Sequence, residues 1–203
     1  MTILHPTYFP NVAHFVSMVH AEKLLFEVCD NYQKQTYRNR TYIYGANGKL
    51  PLTVPVIYSQ KNRQLYKDIK IANHESWQQI HWKSLQSAYR TSPFFEFYED
   101  DLAPLFHTKQ EYILDFNFKC LEVIFECLQL DFNHETSSAF QTKPTNCKDD
   151  RHLVNARKEK EHHFKPYTQV FSNKHGFINN LSILDVLFNE GTNAVPYLQS
   201  QKI

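Results

Sequence analysis

The segment from residue 32 to residue 56 carries the side chains best suited to bind a charged ligand. Four cations lie there among amides and tyrosines: Lys34, Arg38, Arg40 and Lys49. An arginine side chain presents a planar fork of donors that matches a phosphate or a carboxylate. Strands flanking the segment would hold these side chains in place. The segment therefore predicts a site for a small anionic or sugar ligand.

Arg38 and Arg40 alternate with Asn39 in a strand-like pattern, which places the two guanidinium groups on one face. Like charges on one face repel each other unless an anion or a carboxylate lies between them. Asp30 is the evident internal carboxylate. An internal ion-pair network and a bound ligand anion are therefore both open interpretations. Lys34 either reaches the same region or is a solvated surface lysine.

His5 and Asp30 are the predicted acid–base residues. His5 ends the first predicted strand, and Asp30 ends the second. Ligands of parallel sheets bind beyond the carboxyl ends of the strands, so both side chains are expected at that edge. His5 would act as a general base or donate a hydrogen bond to an anion. Alternatively, it would have a structural role and hydrogen-bond to the turn that follows the strand. Asp30 would take a proton, bind a sugar hydroxyl or orient an arginine, or else cap a turn.

Neutral polar and aromatic side chains surround these charges. Gln33, Gln35, Tyr32 and Tyr37 supply neutral donors and flat faces, a combination typical of sugar sites. An exposed, polar edge strand would explain the same residues. The pattern alone does not separate the two interpretations.

The sequence shows no pattern for a metal site or a covalent nucleophile. The four cysteines lack C-x-x-C spacing, the histidines form no zinc pattern with them, and no serine lies in G-x-S-x-G. We therefore expect no metal, and we expect the cysteines to be small buried hydrophobes. No particular cofactor is indicated.

Composition excludes several classes of function. A net charge of +1 over 203 residues argues against nucleic-acid binding, which needs a large basic field. With four glycines, the chain lacks both G-x-x-x-x-G-K-[ST] and G-x-G-x-x-G. No leader-like stretch precedes the first strand, and no apolar run approaches about 18 residues. We expect a cytoplasmic protein without a membrane span, and its oligomeric state is left open.

The fold is predicted to be α/β, a single domain over residues 1–203. Residues 2–5 and 24–30 predict two parallel strands, joined by a helix that begins after Asn11. Asn47-Gly48 predicts a hairpin with a type I′ turn. Together these elements are expected to form a mixed sheet.

The sequence after residue 76 predicts helices, which are separated by one polar segment. Apolar spacing from residue 76 to residue 130 predicts a helical middle segment, whose last helix is long and amphipathic. Residues 142–163 are charge-dense and predict a loop or an exposed linker. A C-terminal helix follows, with Ser182 as its cap and Asp185 as the capping-box partner. That pairing explains both residues without a catalytic role.

Four blocks in order along the chain resemble the WbqC-like family. They are HPTYFP, the pattern D-x-x-Q-K followed by R-N-R-x-x-I, the pattern N-G followed by LTVPV, and LSILDVLFNEG. The second block comprises Asp30, Gln33, Lys34, Arg38, Asn39, Arg40 and Ile43. The chain departs from longer members because it is shorter between the long helix and LSILDVLF, where substrate contacts of those members would be missing.

The resemblance implies a place in bacterial surface polysaccharide biosynthesis of the O-antigen type. It implies a group transferase, aminoacyl or glycyl transfer included, that acts on an amino sugar or a nucleotide sugar. His5 and Asp30 would then be catalytic. The substrate would be bound by the following residues: Tyr8, Gln33, Lys34, Arg38, Asn39 and Arg40.

Two other interpretations stay open. The chain could be a non-catalytic protein that binds a glycan or another anion as a scaffold. It could also be a remote relative of nucleotidylyltransferases, although their His-x-x-His signature is missing. An enzyme predicts a concave pocket in which His5, Asp30, Arg38 and Arg40 converge, whereas a scaffold predicts that they spread over a flat surface.

Overall fold

The structure, a computed structural model, describes residues 1–59, 63–157 and 159–203. The strands are β1 Thr2–Leu4, β2 Leu24–Phe26, β3 Arg40–Gly45, β4 Gly48–Thr53, β5 Val56–Ile57, β6 Lys70–Ile71, β7 His134–Thr136 and β8 Lys148–Asp149. The helices are α1 Val12–Val19, α2 Trp77–Tyr89, α3 Phe95–His107, α4 Ile113–Cys127, α5 Ser172–His175, α6 Ile183–Glu190 and α7 Ala194–Gln199.

A parallel sheet in the order β7-β2-β1-β8 forms the centre of the fold. The strand β1 pairs with β2 on one side and with β8 on the other, so that Ile3 lies between Leu25 and Asp149. The predicted α/β class and the β-α-β unit are confirmed. The two central strands are buried on both faces, as their apolar sequences require.

The predicted hairpin is present, but it does not join the parallel sheet. β3 and β4 form a separate antiparallel pair, and β5 pairs with β6 in a third small sheet. The hairpin turn also differs from the predicted one. Gly48 has a φ of +100°, whereas Ala46 and Asn47 have no positive φ, so a type I′ turn is excluded. A glycine with positive φ directly after the turn is typical of a G1 bulge.

The helices bury the faces that their periodicity predicts. On α4 and its C-cap the apolar positions at helical spacing are all buried: Ile113, Phe116, Leu121, Ile124, Phe125 and Leu128. Phe116 packs against the rings of Tyr8 and Trp77. On α1, Asn11 caps the helix by accepting a hydrogen bond from the amide of His14. None of the four cysteines is in a disulfide. Cys120 lies wholly within the core as expected, whereas Cys29, Cys127 and Cys147 are only partly buried.

Asp185 is not the capping-box partner that the sequence pattern predicts. Its side chain points into the core instead, where it accepts hydrogen bonds from Tyr89 Oη at 2.8 Å, Tyr167 Oη at 2.5 Å and Gln169 Nε2 at 2.8 Å. Ser182 does cap α6, since its hydroxyl accepts from the amide of Leu184. Asp185 therefore ties α6 to α2 and to the chain around residue 168.

The polar segment 142–163 is not a free loop throughout. It supplies β8, the edge strand next to β1, and a buried 3₁₀ turn at Arg151–Val154. The strand escaped the sequence analysis because its two residues are charged and exposed. In the described ranges, no helix combines the length and the apolarity that crossing a membrane requires.

Candidate functional site

The carboxyl ends of the parallel strands open into a cleft of about 250 Å³. His5 follows β1, Asp30 comes from the loop after β2, and Asp149 ends β8. Arg38 and Arg151 lie behind these side chains. This is the edge at which parallel α/β sheets bind their ligands.

Asp30 connects the predicted acid–base residue His5 to Arg38 of the predicted cationic segment. Its Oδ2 accepts a hydrogen bond from Arg38 Nη2 at 2.6 Å and lies 3.1 Å from His5 Nε2. Its Oδ1 accepts from the amide of Asn31 at 2.7 Å. One carboxylate therefore holds a guanidinium and an imidazole together, and it lines the cleft itself.

The protonation states of this group follow from its burial. Desolvation, aided by the charge of Arg38, lowers the pKa of His5 to about 4, against the opposing effect of Asp30. Burial alone would raise the pKa of Asp30, but the hydrogen bond from His5 and the charge of Arg38 outweigh it and lower that pKa. At neutral pH the carboxylate is ionised, and the imidazole is neutral with its Nε2 proton directed at Asp30.

Arg38 is wholly enclosed by protein. Its guanidinium lies 5.3 Å from the centre of the Tyr66 ring, and its carbonyl accepts a hydrogen bond from Asn117 Nδ2 at 2.7 Å. Burial lowers the pKa of Arg38, although an arginine stays protonated even so. Within the described residues, its Nε and Nη1 have no hydrogen-bond partner.

A second arginine, which the sequence analysis missed, closes the other side of the cleft. Arg151 donates to both oxygens of Asp149, from Nε at 2.8 Å and from Nη2 at 2.7 Å. Its Nη1 donates to the carbonyl of Gln141 and lies 3.5 Å from Glu27 Oε2. The hydrogen bonds from Arg151 lower the pKa of Asp149. Glu27 carried an available signal, since it is a carboxylate within the apolar run LLFEVC.

Two predicted substrate-binding residues lie in the core. Tyr8 is fully buried, and its hydroxyl is 2.9 Å from His81 Nδ1. The amide of Asn39 donates to the carbonyl of Val54 and so connects the start of β3 to the end of β4. Neither side chain lines the cleft.

The remaining predicted binding residues are divided between the cleft and the surface. Gln33 lines the cleft. Lys34 extends outward over the ring of Tyr58 at 5.1 Å. Arg40 begins β3, half-buried, and does not line the cleft, whereas Arg38 lies in the turn before that strand. The predicted shared face of Arg38 and Arg40 is therefore not what brings charges to the site.

The N-terminus of α1 offers no free amides to a phosphate. The amide of Val12 donates to the carbonyl of Leu181, and the amide of Ala13 donates to Asn180 Oδ1 at 2.8 Å. The third amide, that of His14, is capped by Asn11. Helix N-termini bind phosphate through such amides, so this arrangement removes the support that a nucleotidylyltransferase interpretation would need.

In the described residues, no group of three or more His, Cys, Asp or Glu side chains is arranged to hold a metal ion. The profile of the WbqC-like protein family matches residues 5–164, which contain every cleft residue named above. The uncharacterized protein Rv1507c of Mycobacterium tuberculosis is 24% identical over 231 residues, covering 98% of this chain and 97% of that protein. No solved structure matches the chain.

Proposed function

The chain belongs to the WbqC-like protein family, and on that premise we propose that it is a group transferase of bacterial surface polysaccharide assembly. The cleft at the carboxyl edge of the parallel sheet is the proposed active site. A single observation carries the proposal: Asp30 lines this cleft while its Oδ2 is held by both Arg38 and His5. A carboxylate fixed from two sides is suited to orient and deprotonate an acceptor.

Asp30 is the proposed proton acceptor. An acceptor hydroxyl or amine donates its hydrogen bond to Asp30 Oδ1, which takes one hydrogen bond from the described chain. As the acceptor oxygen or nitrogen forms its bond to the acyl or phosphoryl centre of the donor, its proton passes to the carboxylate. The leaving group departs with the electron pair of the bond that breaks. Proton transfer of this kind contributes roughly 10²–10⁴-fold to a rate.

His5 and Arg38 are proposed positioning residues. The neutral imidazole donates its Nε2 proton to Asp30, and the guanidinium fixes the same oxygen on its other side. Both contacts stabilise the ionised carboxylate and lower its pKa, so that it is unprotonated at neutral pH. Neither residue needs to touch the acceptor for this role.

The proposal is tested by deleting the gene in its bacterial host and analysing the surface polysaccharide by mass spectrometry. The deletion is expected to remove one substituent or sugar, and the unaltered gene restores it. Asp30→Asn combined with Arg38→Met should not restore it, although we expect this variant to fold because both buried charges are removed together. Glu111→Gln, at an exposed carboxylate remote from the cleft, should restore it fully.

The role of His5 is tested by a pair of substitutions. His5→Gln keeps an N–H donor that can reach Asp30, so it should restore most of the polysaccharide, whereas His5→Phe should not. Thermal unfolding of the purified variants shows whether they are folded. An unchanged polysaccharide in the deletion strain, or full restoration by the Asp30→Asn/Arg38→Met variant, would overturn the proposed function.

A further inference from the structure

We propose that the protein associates with a second copy of itself, through a groove on one copy and an exposed aromatic side chain on the other. The groove lies between the hairpin β3–β4 and the helix α2, and the aromatic side chain is that of Phe97 on α3. Neither surface includes a residue that lines the cleft, so their pairing does not depend on the proposed function.

The groove presents two large apolar side chains to solvent. Leu50 of β4 is 37% exposed, and Ile80 of α2 is 60% exposed. Apart from Lys83, the remaining lining residues are small: Gly45, Ala46, Ser84, Ser87 and Ala88. The groove has a volume of about 350 Å³, whereas a cavity of about 150 Å³ is enough to hold benzene. An aromatic side chain therefore fits into it.

Phe97 is the most exposed of the large apolar residues that the structure describes, at 74%. Its ring lies edge-on to the ring of Tyr98, with 4.8 Å between the centroids, so the neighbouring ring supports it on one side. Removing such a ring from water is favourable. A single exposed ring is common on protein surfaces, so the charges around Phe97 identify its partner.

The two surfaces carry opposite charges. The segments that form the groove, residues 40–53 and 77–89, contain three Lys and Arg and no Asp or Glu. The helix that carries Phe97, residues 95–107, contains four Asp and Glu and no Lys or Arg. A cationic, apolar groove fits an acidic helix with an exposed aromatic side chain, and the same chain supplies both. The partner is therefore a second copy.

The spacing of the charges matches the spacing of the apolar side chains. On α2, Lys83 follows Ile80 by three residues, so both lie on one face of the helix. On α3, Asp100 and Asp101 follow Phe97 by three and four residues and share its face. With Phe97 against Ile80 and the two helices side by side in the same direction, these carboxylates reach the ammonium of Lys83. Within the described ranges, all three charged side chains are exposed and none forms an ion pair in its own chain.

The two surfaces point in different directions on one molecule. Gln86 and Arg90 of α2 donate hydrogen bonds to Glu99, so the side of α3 that carries Glu99 faces α2. Phe97 precedes Glu99 by two residues, which is about 200° around a helix, so its ring points away from α2. One copy therefore inserts its Phe97 into the groove of the next and leaves its own groove open. Such a heterologous contact builds a ring or a chain of copies.

Sedimentation velocity of the full chain over a range of concentrations tests the association. The weight-average sedimentation coefficient is expected to rise with protein concentration, and to rise less in high salt, which screens exposed charges. Phe97→Ser and Ile80→Ser should each weaken the association about tenfold or more, because each removes apolar surface from the contact. Ile57→Ser is the matched control, since Ile57 is 59% exposed and lies outside the groove, and this variant should associate as the unaltered protein does.

A mixture of the two variants tests whether the surfaces pair with each other. The Phe97→Ser variant retains its groove, and the Ile80→Ser variant retains its exposed ring. Each variant alone should sediment as a monomer. An equimolar mixture should form a one-to-one dimer and nothing larger, because it contains one intact groove for each intact ring.

Charge exchange tests the polar part of the contact. Lys83→Glu places a carboxylate opposite Asp100 and Asp101 and should weaken the association about tenfold. Adding Asp101→Lys to the same chain restores an opposite pair, so the double variant should recover part of this loss.

Three results would each overturn the inference: a protein that sediments as a monomer at every concentration, a Phe97→Ser variant that associates as the unaltered protein does, or a mixture of the Phe97→Ser and Ile80→Ser variants that stays monomeric. The first would leave the groove to a different partner. The second and the third would place the contact between copies elsewhere on the surface. None of these results bears on the polysaccharide experiment, which tests the cleft.

Discussion

Arg38 Nη2 lies 2.6 Å from Asp30 Oδ2, and the arginine that makes this contact has no exposed side-chain surface. The sequence left open whether Arg38 serves a ligand or an internal network. The structure contains the internal ion pair, and that pair positions a carboxylate that lines the cleft. A structural contact and the proposed active site thus share the same two residues.

Replacing Arg38 by methionine should destabilise the protein. Breaking a buried ion pair costs about 3–5 kcal/mol, and we expect the lower end because Asp30 can rehydrate at the cleft. The Asp30→Asn/Arg38→Met variant should recover most of that loss. Urea unfolding measures both values. Arg90→Met is the matched control, since Arg90 pairs with Glu99 on the surface and such pairs contribute at most about 1 kcal/mol. Equal losses for the Arg38 and Arg90 variants would contradict this account.

The stability of the protein should fall as the pH drops from 6.5 towards 4. Burial lowers the pKa of His5 and of His81 to about 4, and that of His14 to about 3, from an ordinary value of 6.5. Between these values the unfolded chain binds protons that the folded protein does not, so acid favours unfolding. Each group contributes a slope of up to about 1.4 kcal/mol per pH unit.

His81→Gln isolates one of these contributions. The glutamine can still hydrogen-bond the hydroxyl of Tyr8, but it does not titrate. The free energy of unfolding, measured in urea across this pH range, should depend less steeply on pH in that variant. His74→Gln, at an exposed histidine, should leave the slope as it is. An unchanged slope for the His81 variant would mean that His81 is not held neutral by burial.

Asp185→Asn should destabilise the core. The amide replaces one acceptor oxygen by a donor. In place of Oδ1 it faces the donor Tyr89, and in place of Oδ2 it faces the donors Tyr167 and Gln169. Each buried group left unpaired costs about 1–3 kcal/mol. Asp115→Asn, at an exposed position in the first turn of α4, provides the control. Equal midpoints of urea unfolding for the two variants would mean that these hydrogen bonds to Asp185 do not stabilise the core.

Gly191→Ala should cost more stability than Gly48→Ala. Both glycines have positive φ, +52° and +100° respectively, so a side chain strains the backbone at either position. A Cβ at Gly48 would meet nothing within 4 Å, whereas a Cβ at Gly191 would lie 2.6 Å from the ring of Phe94. Thermal unfolding compares the two variants. If Gly48→Ala proves the more destabilising, then the steric contact with Phe94 does not determine which substitution costs more stability.

Local patterns in the sequence were sufficient for the elements that bury apolar faces. The periodicity of α4, the cap of α1 and the glycine at Gly48 each express a short-range rule, and each element is present. The positions of His5 and Asp30 were predicted from the ends of β1 and β2, whereas their roles in a site stay a prediction. Their contact with Arg38 depends on the conformation of the turn before β3. No periodic pattern of apolar residues predicts that conformation.

The remaining parts of the site depend on contacts between distant residues. β8 has only two paired residues, both charged, so no alternation of apolar and polar side chains marks it. Arg151 enters the cleft only because that strand adds to the edge of the sheet. Asp185 fits a capping box by local spacing, while its actual partner Tyr89 is 96 residues away. Local spacing alone could not distinguish the two outcomes.

The amides that begin α1 are satisfied by Asn180 and Leu181, and Asn180 lies 167 residues after its partner Ala13. During synthesis these two amides of the first helix therefore lack their partners until residues 180 and 181 have left the ribosome. The family-matched range 5–164 lacks this closure, so a fragment that ends at residue 164 should not fold independently. Adding a peptide of residues 165–203 to that fragment should restore protection of the amide of Ala13 from hydrogen exchange.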